Sequence, residues 1–184
     1  TIIDQNLYPI QKKFLKKNPN SFFHPRVFNL NKQEIEDCGN LKSWLPLRCD
    51  YIYNQTKELA VCDLVSGRFL MSYWKNFKKV GLISSKIPHY GGDWDYSLRG
   101  KKMGINTYLV KDAICYVDEK TSGNKYRGAS FIDLLFFDIK SPQNLKYKFL
   151  FFLNHHSFFT SIILIKAEFL KTSFKYFQSL FLSK

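Results

Sequence analysis

The spacing of apolar and polar positions divides the chain into three textures. Residues 1–60 alternate short apolar runs with Pro, Asn and Gly. TII predicts a short strand, the segment around 9–17 a basic helix, and FFHPRVF a strand that Pro25 confines to a sheet edge or strand end, since proline has no N–H to donate. Residues 61–119 predict a strand over VCDLVSGRFLM, a short helix at Tyr73–Val80, a turn-rich segment, a helix at about 93–103, and two strands, NTYLV and AICYV, separated by Lys111-Asp112. Residues 129–184 are mostly helical in period and rich in aromatics. Mixed strands and helices with short connections imply an α/β domain followed by a helical tail, divided here as residues 1–125 and 126–184. No internal repeat or long Gly/Ser linker interrupts this order, and 184 residues suffice to bury a real core.

The stretch YGGDWDYSLRGKKMG, residues 90–104, sets two carboxylates at the start of one predicted helix. Asp93 and Asp95 suit a first turn, where backbone N–H groups lack partners and the helix dipole favours anions. Asp95 and Arg99 form an i,i+4 pair, Trp94 and Leu98 share the opposite stripe, and Gly104 is a natural stop. Local helix chemistry thus accounts for the carboxylates and the last glycine. It leaves Gly91-Gly92 and an exposed Asp93, a combination that suits the close approach of a ligand.

Composition narrows the classes. Hydrophobic residues at 45% and aromatics at 17% exclude a disordered chain, and a net charge of +13 favours an anionic partner. The basic residues are scattered, no nucleic-acid motif occurs, and the tail aromatics follow helical spacing, so nucleic acid is not the expected partner. Cys38, Cys49, Cys62 and Cys115 contain no CxxC pair, which predicts reduced, partly buried thiols rather than a zinc or redox site. The first residues lack the basic-then-apolar order of a leader, and a reducing, cytoplasmic setting follows; the sequon Asn54-Gln55-Thr56 is then accidental. No run reaches the ~18 apolar residues of a spanning helix.

The segment from Cys62 to Gly123 resembles the second half of a family-two glycosyltransferase domain of the GT-A fold. That family has an Asp and a Gly before an apolar strand, a helix ending in Val-Gly, a carboxylate-rich corner leading into D-x-D-x-x-x-R, then a Gly and a strand pair. Asp63, Gly67, Val80-Gly81, Asp93, Asp95, Arg99 and Gly104 stand in those places. The first residues resemble the rhamnosyltransferase-like branch, with Asp4-Gln5-Asn6 at the metal-binding D-x-D position and HPRV at the following "P-x-V" strand. The resemblance implies a GT-A-like, Rossmann-like nucleotide-diphospho-sugar transferase domain that begins inside the fold, because the family has several βα units before this motif. An isolated 1–184 chain should then expose a sheet edge and an apolar face near Thr1–Ile3, and should not bind nucleotide sugar.

The resemblance further implies an inverting enzyme that moves a sugar, of the hexosyl or rhamnosyl kind, from a nucleotide-sugar donor to a glycan or lipid-linked acceptor in surface polysaccharide synthesis. Asp93 matches the catalytic base. Asp63, Gly67, Gly92, Asp95 and Arg99 match substrate-binding positions, with an Asp95 ion pair the alternative for Arg99 and a strand bulge the alternative for Gly67. Asp4 and Asn6 match the ligands of a divalent cation, Mg²⁺ or Mn²⁺, which would offset charge on the departing diphosphate. Asn6 offers only a neutral amide oxygen, and Val117 stands where many members place a further histidine ligand. Asp118 or Glu119 are the nearby substitutes, whereas His155-His156 point about 100° apart on a helix and His89 suits a solvated turn. The alternative to an active enzyme is a truncated remnant of the family or a non-catalytic binding module.

From Phe158 onward, Ile162, Ile165, Phe169, Phe177 and Leu180 fall near helical spacing, with Lys166, Lys171, Lys175 and Gln178 mainly on other faces. This amphipathic helix either covers the α/β domain or lies peripherally on the inner face of an anionic membrane. The charges at Lys166, Glu168 and Lys171 rule against a spanning segment.

Overall fold

The apolar residues from Asn106 to Val117 form one strand, β7, where the sequence predicts two. The computed structural model describes residues 2–31, 33–35, 38–42, 45–52, 56–87, 91–118 and 130–182, and for 41–42, 45–50 and 179–182 the backbone alone. Asn54, Gln55, His89 and Glu119 lie outside the described residues. The chain divides into two units, Thr1–Ile83 with Asp93–Ser122, and Ser84–Gly92 with Gly123–Lys184.

In the first unit, β7 is the central strand. On one side it pairs in parallel with β2 (Ser21–Asn29), and on the other antiparallel with β5 (Leu59–Cys62) near Thr107–Val110 and with β1 (Ile2–Ile3) near Cys115–Tyr116. The Lys111-Asp112 break is real, but it is a bulge rather than a gap. Pro25 pairs with Val110 and Arg26 with Ile114, so three residues of β7 loop past the point where Pro25 has no N–H to offer. Lys111 remains in the sheet on the other side through its N–H to the Glu58 carbonyl, 3.0 Å. A second, antiparallel sheet has the order β4 (Leu45–Tyr51), β3 (Cys38–Lys42), β6 (Leu64–Val65).

The predicted strand over residues 61–71 is likewise divided. β5 ends at Cys62 and β6 begins at Leu64 in the other sheet, with the switch fixed by the Asp63 N–H, which donates to the Gly39 carbonyl and to Asn40 Oδ1, both at 3.0 Å. Ile2 and Ile3 on β1 are half or more exposed, as expected for this edge. Cys38, Cys62 and Cys115 are buried, more deeply than the partly buried thiols expected.

Helix α1 (Leu7–Lys17) starts two residues ahead of its predicted start, because Pro9 falls in the first turn, where a missing N–H costs nothing. Leu7, Phe14 and Leu15 share one stripe that packs on Phe23, Val27, Val110 and Cys115. On the other face, Phe22 meets Val80 of α2 (Trp74–Val80) and Tyr96 of α3 (Gly92–Lys102). β2 is therefore covered on both faces, the arrangement an α/β layer requires. Gly100 lets α3 come this close: a Cβ there would sit 2.8 Å from the Phe22 ring.

In the second unit a π-helical turn, Asp133–Phe137, precedes α4 (Leu145–His155) and α5 (Phe158–Leu182). Asn144 caps α4 by accepting the Lys146 and Tyr147 N–H groups at 3.1 and 3.4 Å. α5 buries Ser161, Leu164, Glu168 and Thr172, a stripe turned away from the predicted one. Phe169 and Phe177 of the predicted stripe are exposed, Ile162 and Ile165 are half-buried, and the Leu180 side chain lies outside the described residues. The cause is the buried Glu168 carboxylate, which pairs with Lys148 of α4 and with Lys171 at 3.1 Å and so fixes the rotation of the helix.

Burial pushes the Glu168 carboxyl up, but the Lys148 and Lys171 ammonium groups outweigh it and hold the group below its ordinary 4.5. A depressed folded value contributes stability at pH above about 4.5 that is lost as pH falls through the folded value. Thermal melts should therefore show a stability loss below that pH, and Glu168→Gln should flatten that dependence. A Gln variant with the wild-type acid profile would assign the loss to other carboxylates.

Candidate functional site

The corner that carries Asp93 is built by two glycines and one ion pair. α2 ends at Gly81 with φ +82°, a conformation that side chains resist, and the Gly81 N–H closes on the Phe77 carbonyl at 2.9 Å. α3 starts after Gly91, at φ +91°, and stops at Gly104, at φ +76°, with acidic residues in its first turn and Arg99, Lys101 and Lys102 in its last. The predicted Asp95–Arg99 pair forms at 2.8 Å, with Asp95 fully buried. The same guanidinium donates to the carbonyls of Val80, 2.6 Å, and Leu82, 2.9 Å. Arg99 thus ties the turn after α2 to the first turns of α3.

Asp93 is half-buried and held by backbone. Its Oδ1 accepts the Trp94 N–H at 2.9 Å, and its Oδ2 accepts the Gly67 N–H at 3.0 Å across 26 residues of sequence. A Cβ at Gly67 would stand 3.8 Å from the Asp93 Cβ, so the two chains meet at ordinary contact distance. Gly67 and Asp93 line one cavity of about 650 Å³. The rest of its wall is largely apolar and aromatic: Phe69, Leu70, Trp74, Phe77, Leu82 and Ile83, with Ser66, Lys78 and Tyr96 adding polar groups. Trp74 and Leu82 are among the most exposed apolar side chains of the unit.

Phe69 has φ +57°, the single non-glycine residue in the left-handed region among those described. A bulky residue held there stores strain, a feature that concentrates at ligand sites. Burial pushes the Tyr96 phenol above its ordinary range, with the Arg99 guanidinium pulling the other way, so the phenol stays a neutral donor at physiological pH. The Arg99 guanidinium lies 5.2 Å from the Tyr96 ring centre.

The remaining predicted site residues stand outside this cavity wall. The Asp63 carboxylate pairs with Lys101 at the end of α3. Gly92 is buried as the first residue of α3, and the turn that needs a glycine is at Gly91. Asp95 and Arg99 form the tie already described. Asp4 Oδ1 accepts the Asn6 N–H at 2.8 Å and its carbonyl accepts the Leu7 N–H at 3.0 Å, so it shapes the entry into α1. The exposed Asn6 side chain makes no capping bond to that helix. Val117 is buried in the core, and among the described residues no three His, Cys, Asp or Glu side chains converge. Asp4 and Asn6 thus put one carboxylate and one side-chain amide at the entry to α1.

Sequence reasoning missed the aromatic wall. Trp74 and Phe77 stand at i,i+3 on α2, with ring centres 6.5 Å apart, and that spacing was the available signal. Nothing in the sequence marks the left-handed Phe69. Comparison with protein-family models, with curated proteins and with solved structures finds no match for this chain.

Proposed function

We propose that this protein is an inverting glycosyltransferase that moves a sugar from a nucleotide-sugar donor to a glycan or lipid-linked acceptor. The observation that supports it is the Gly67 N–H to Asp93 Oδ2 bond on the wall of the cavity. These two positions match the family resemblance independently, 26 residues apart, and they meet at a cleft of ligand size. Aromatic walls suit the C–H face of a pyranose, and a carboxylate at the rim suits its hydroxyls.

In this scheme the acceptor rests against Trp74 and Phe77 with one hydroxyl on Asp93. The hydroxyl oxygen attacks the anomeric carbon from the face opposite the diphosphate and its proton passes to the Asp93 carboxylate. The anomeric C–O bond breaks with its electron pair leaving on the diphosphate. Asp4, with the Asn6 amide oxygen, would hold a divalent cation, which when bound supplies countercharge to that leaving group. Asp95 and Arg99 act as positioning residues, since their side chains hold the α2–α3 corner rather than line the cavity.

A panel of nucleotide sugars tests this in the full-length protein, with nucleoside diphosphate release measured with and without oligosaccharide acceptors. The expected result is acceptor-dependent release with inversion at the anomeric carbon, seen by NMR of the product. Retention of configuration would overturn the direct-displacement scheme.

A further inference from the structure

The second unit presents an apolar helix face that its own fold leaves exposed. Phe159, Ile163, Leu170, Phe174 and Phe177 of α5 are 78%, 67%, 67%, 70% and 53% exposed. At 100° per residue they fall within an arc of roughly 60°, along a helix about 37 Å long. Lys166 borders the arc on one side, and beyond its other edge Lys171 lies about 60° and Lys175 about 100° round, all three exposed. The opposite arc is the buried stripe of Ser161, Leu164, Glu168 and Thr172, locked to α4 by the Lys148–Glu168 pair. Helix rotation is therefore set, and the apolar stripe is its outward face. In the same unit Ile132, Phe136, Phe137 and Ile139 are also half or more exposed.

We propose that this face of α5 lies in the interface plane of an anionic bilayer, its Phe, Ile and Leu side chains among the upper acyl chains and its lysines at the headgroups. Charge decides between this occupant and a second copy of the chain. Two such faces brought together would set like-charged lysine rows side by side, which is unfavourable, whereas anionic headgroups neutralise them. A narrow apolar stripe with basic flanks is the pattern of a helix that lies on a membrane. Among the described residues no helix is long and apolar enough to cross one. This inference is independent of the proposed transferase activity, because it rests on residues of the other unit.

Co-sedimentation of the full-length protein with phosphatidylcholine vesicles, with and without phosphatidylserine, tests it. Binding should require phosphatidylserine and weaken as ionic strength rises. Lys166→Glu with Lys175→Glu should weaken binding by roughly thirtyfold or more, from about a fivefold contribution per surface lysine. Leu170→Asp with Phe174→Asp should abolish it while the far-ultraviolet circular dichroism stays that of the wild type, since both side chains are exposed. Equal binding to neutral vesicles would overturn the proposal. So would failure to bind phosphatidylserine vesicles, and an oligomer that the Leu170→Asp, Phe174→Asp variant dissolves would then identify the face as a self-association surface.

Discussion

If the proposed transferase reading holds, Asp93→Asn should lower turnover by roughly 10²–10⁴-fold with donor KM little changed, the range expected when a positioned general base is removed. The substitution keeps the size and planarity of the side chain and removes its ability to take a proton. It also trades two acceptor oxygens for one. The carboxylate now accepts both the Trp94 and the Gly67 N–H groups, and an amide can accept only one without turning its NH₂ on the other. A cost of about 1 kcal/mol in stability accompanies the loss of one such bond. Activity and stability are thus affected on very different scales, and measuring both separates a lost base from a lost fold. Turnover within a few-fold of wild type would remove Asp93 from the chemistry.

Asp95→Ala is expected to have the largest effect on stability. Its carboxylate is fully buried against the Arg99 guanidinium, which is a quarter exposed and also holds the Val80 and Leu82 carbonyls. Breaking a buried pair from one side costs about 3–5 kcal/mol, and the partial exposure of Arg99 places this one at about 3. For a chain of this size the melting temperature should fall by on the order of 10 °C. The damage should reach activity as well, because the freed turn carries Gly81, Leu82 and Ile83 of the cavity wall. Arg99→Ala combined with Asp95→Ala should cost less than the sum of the two, since both remove the same contact. Calorimetry that finds Asp95→Ala melting with the wild type would show that the corner is held by other means.

The helices were legible because local chemistry fixes them. The basic helix placed around 9–17 is α1, which starts two residues earlier, and the helix at about 93–103 follows from dipole complementarity and a glycine stop. Where tertiary partners decide, the sequence misleads. Lys111-Asp112 looks like a strand break, yet pairing of both flanks of β7 with β2 turns it into a bulge. VCDLVSGRFLM is apolar enough for one strand, but Asp63 bonds two residues of β3 and sends the chain into a second sheet. α5 has apolar residues on several faces, and the choice among them is made by Lys148, on a different helix, pairing with Glu168. In the candidate site, the Asp93 corner was visible as a motif, whereas Phe69, Trp74 and Phe77 become a wall only when α2 and the left-handed turn before it are folded together.

The central claim is that Asp93 and the aromatic wall receive an acceptor sugar. Titrating isotope-labelled protein with oligosaccharide acceptors, and following the Gly67 amide and the Trp74 indole N–H by NMR, reads both sides of that cavity at once. The account predicts that the two signals shift together and saturate at one affinity, and that Asp93→Asn removes the Gly67 response while weakening that of Trp74. Acceptor-dependent turnover by the wild type with neither signal moving would contradict it, because the sugar would then be bound elsewhere.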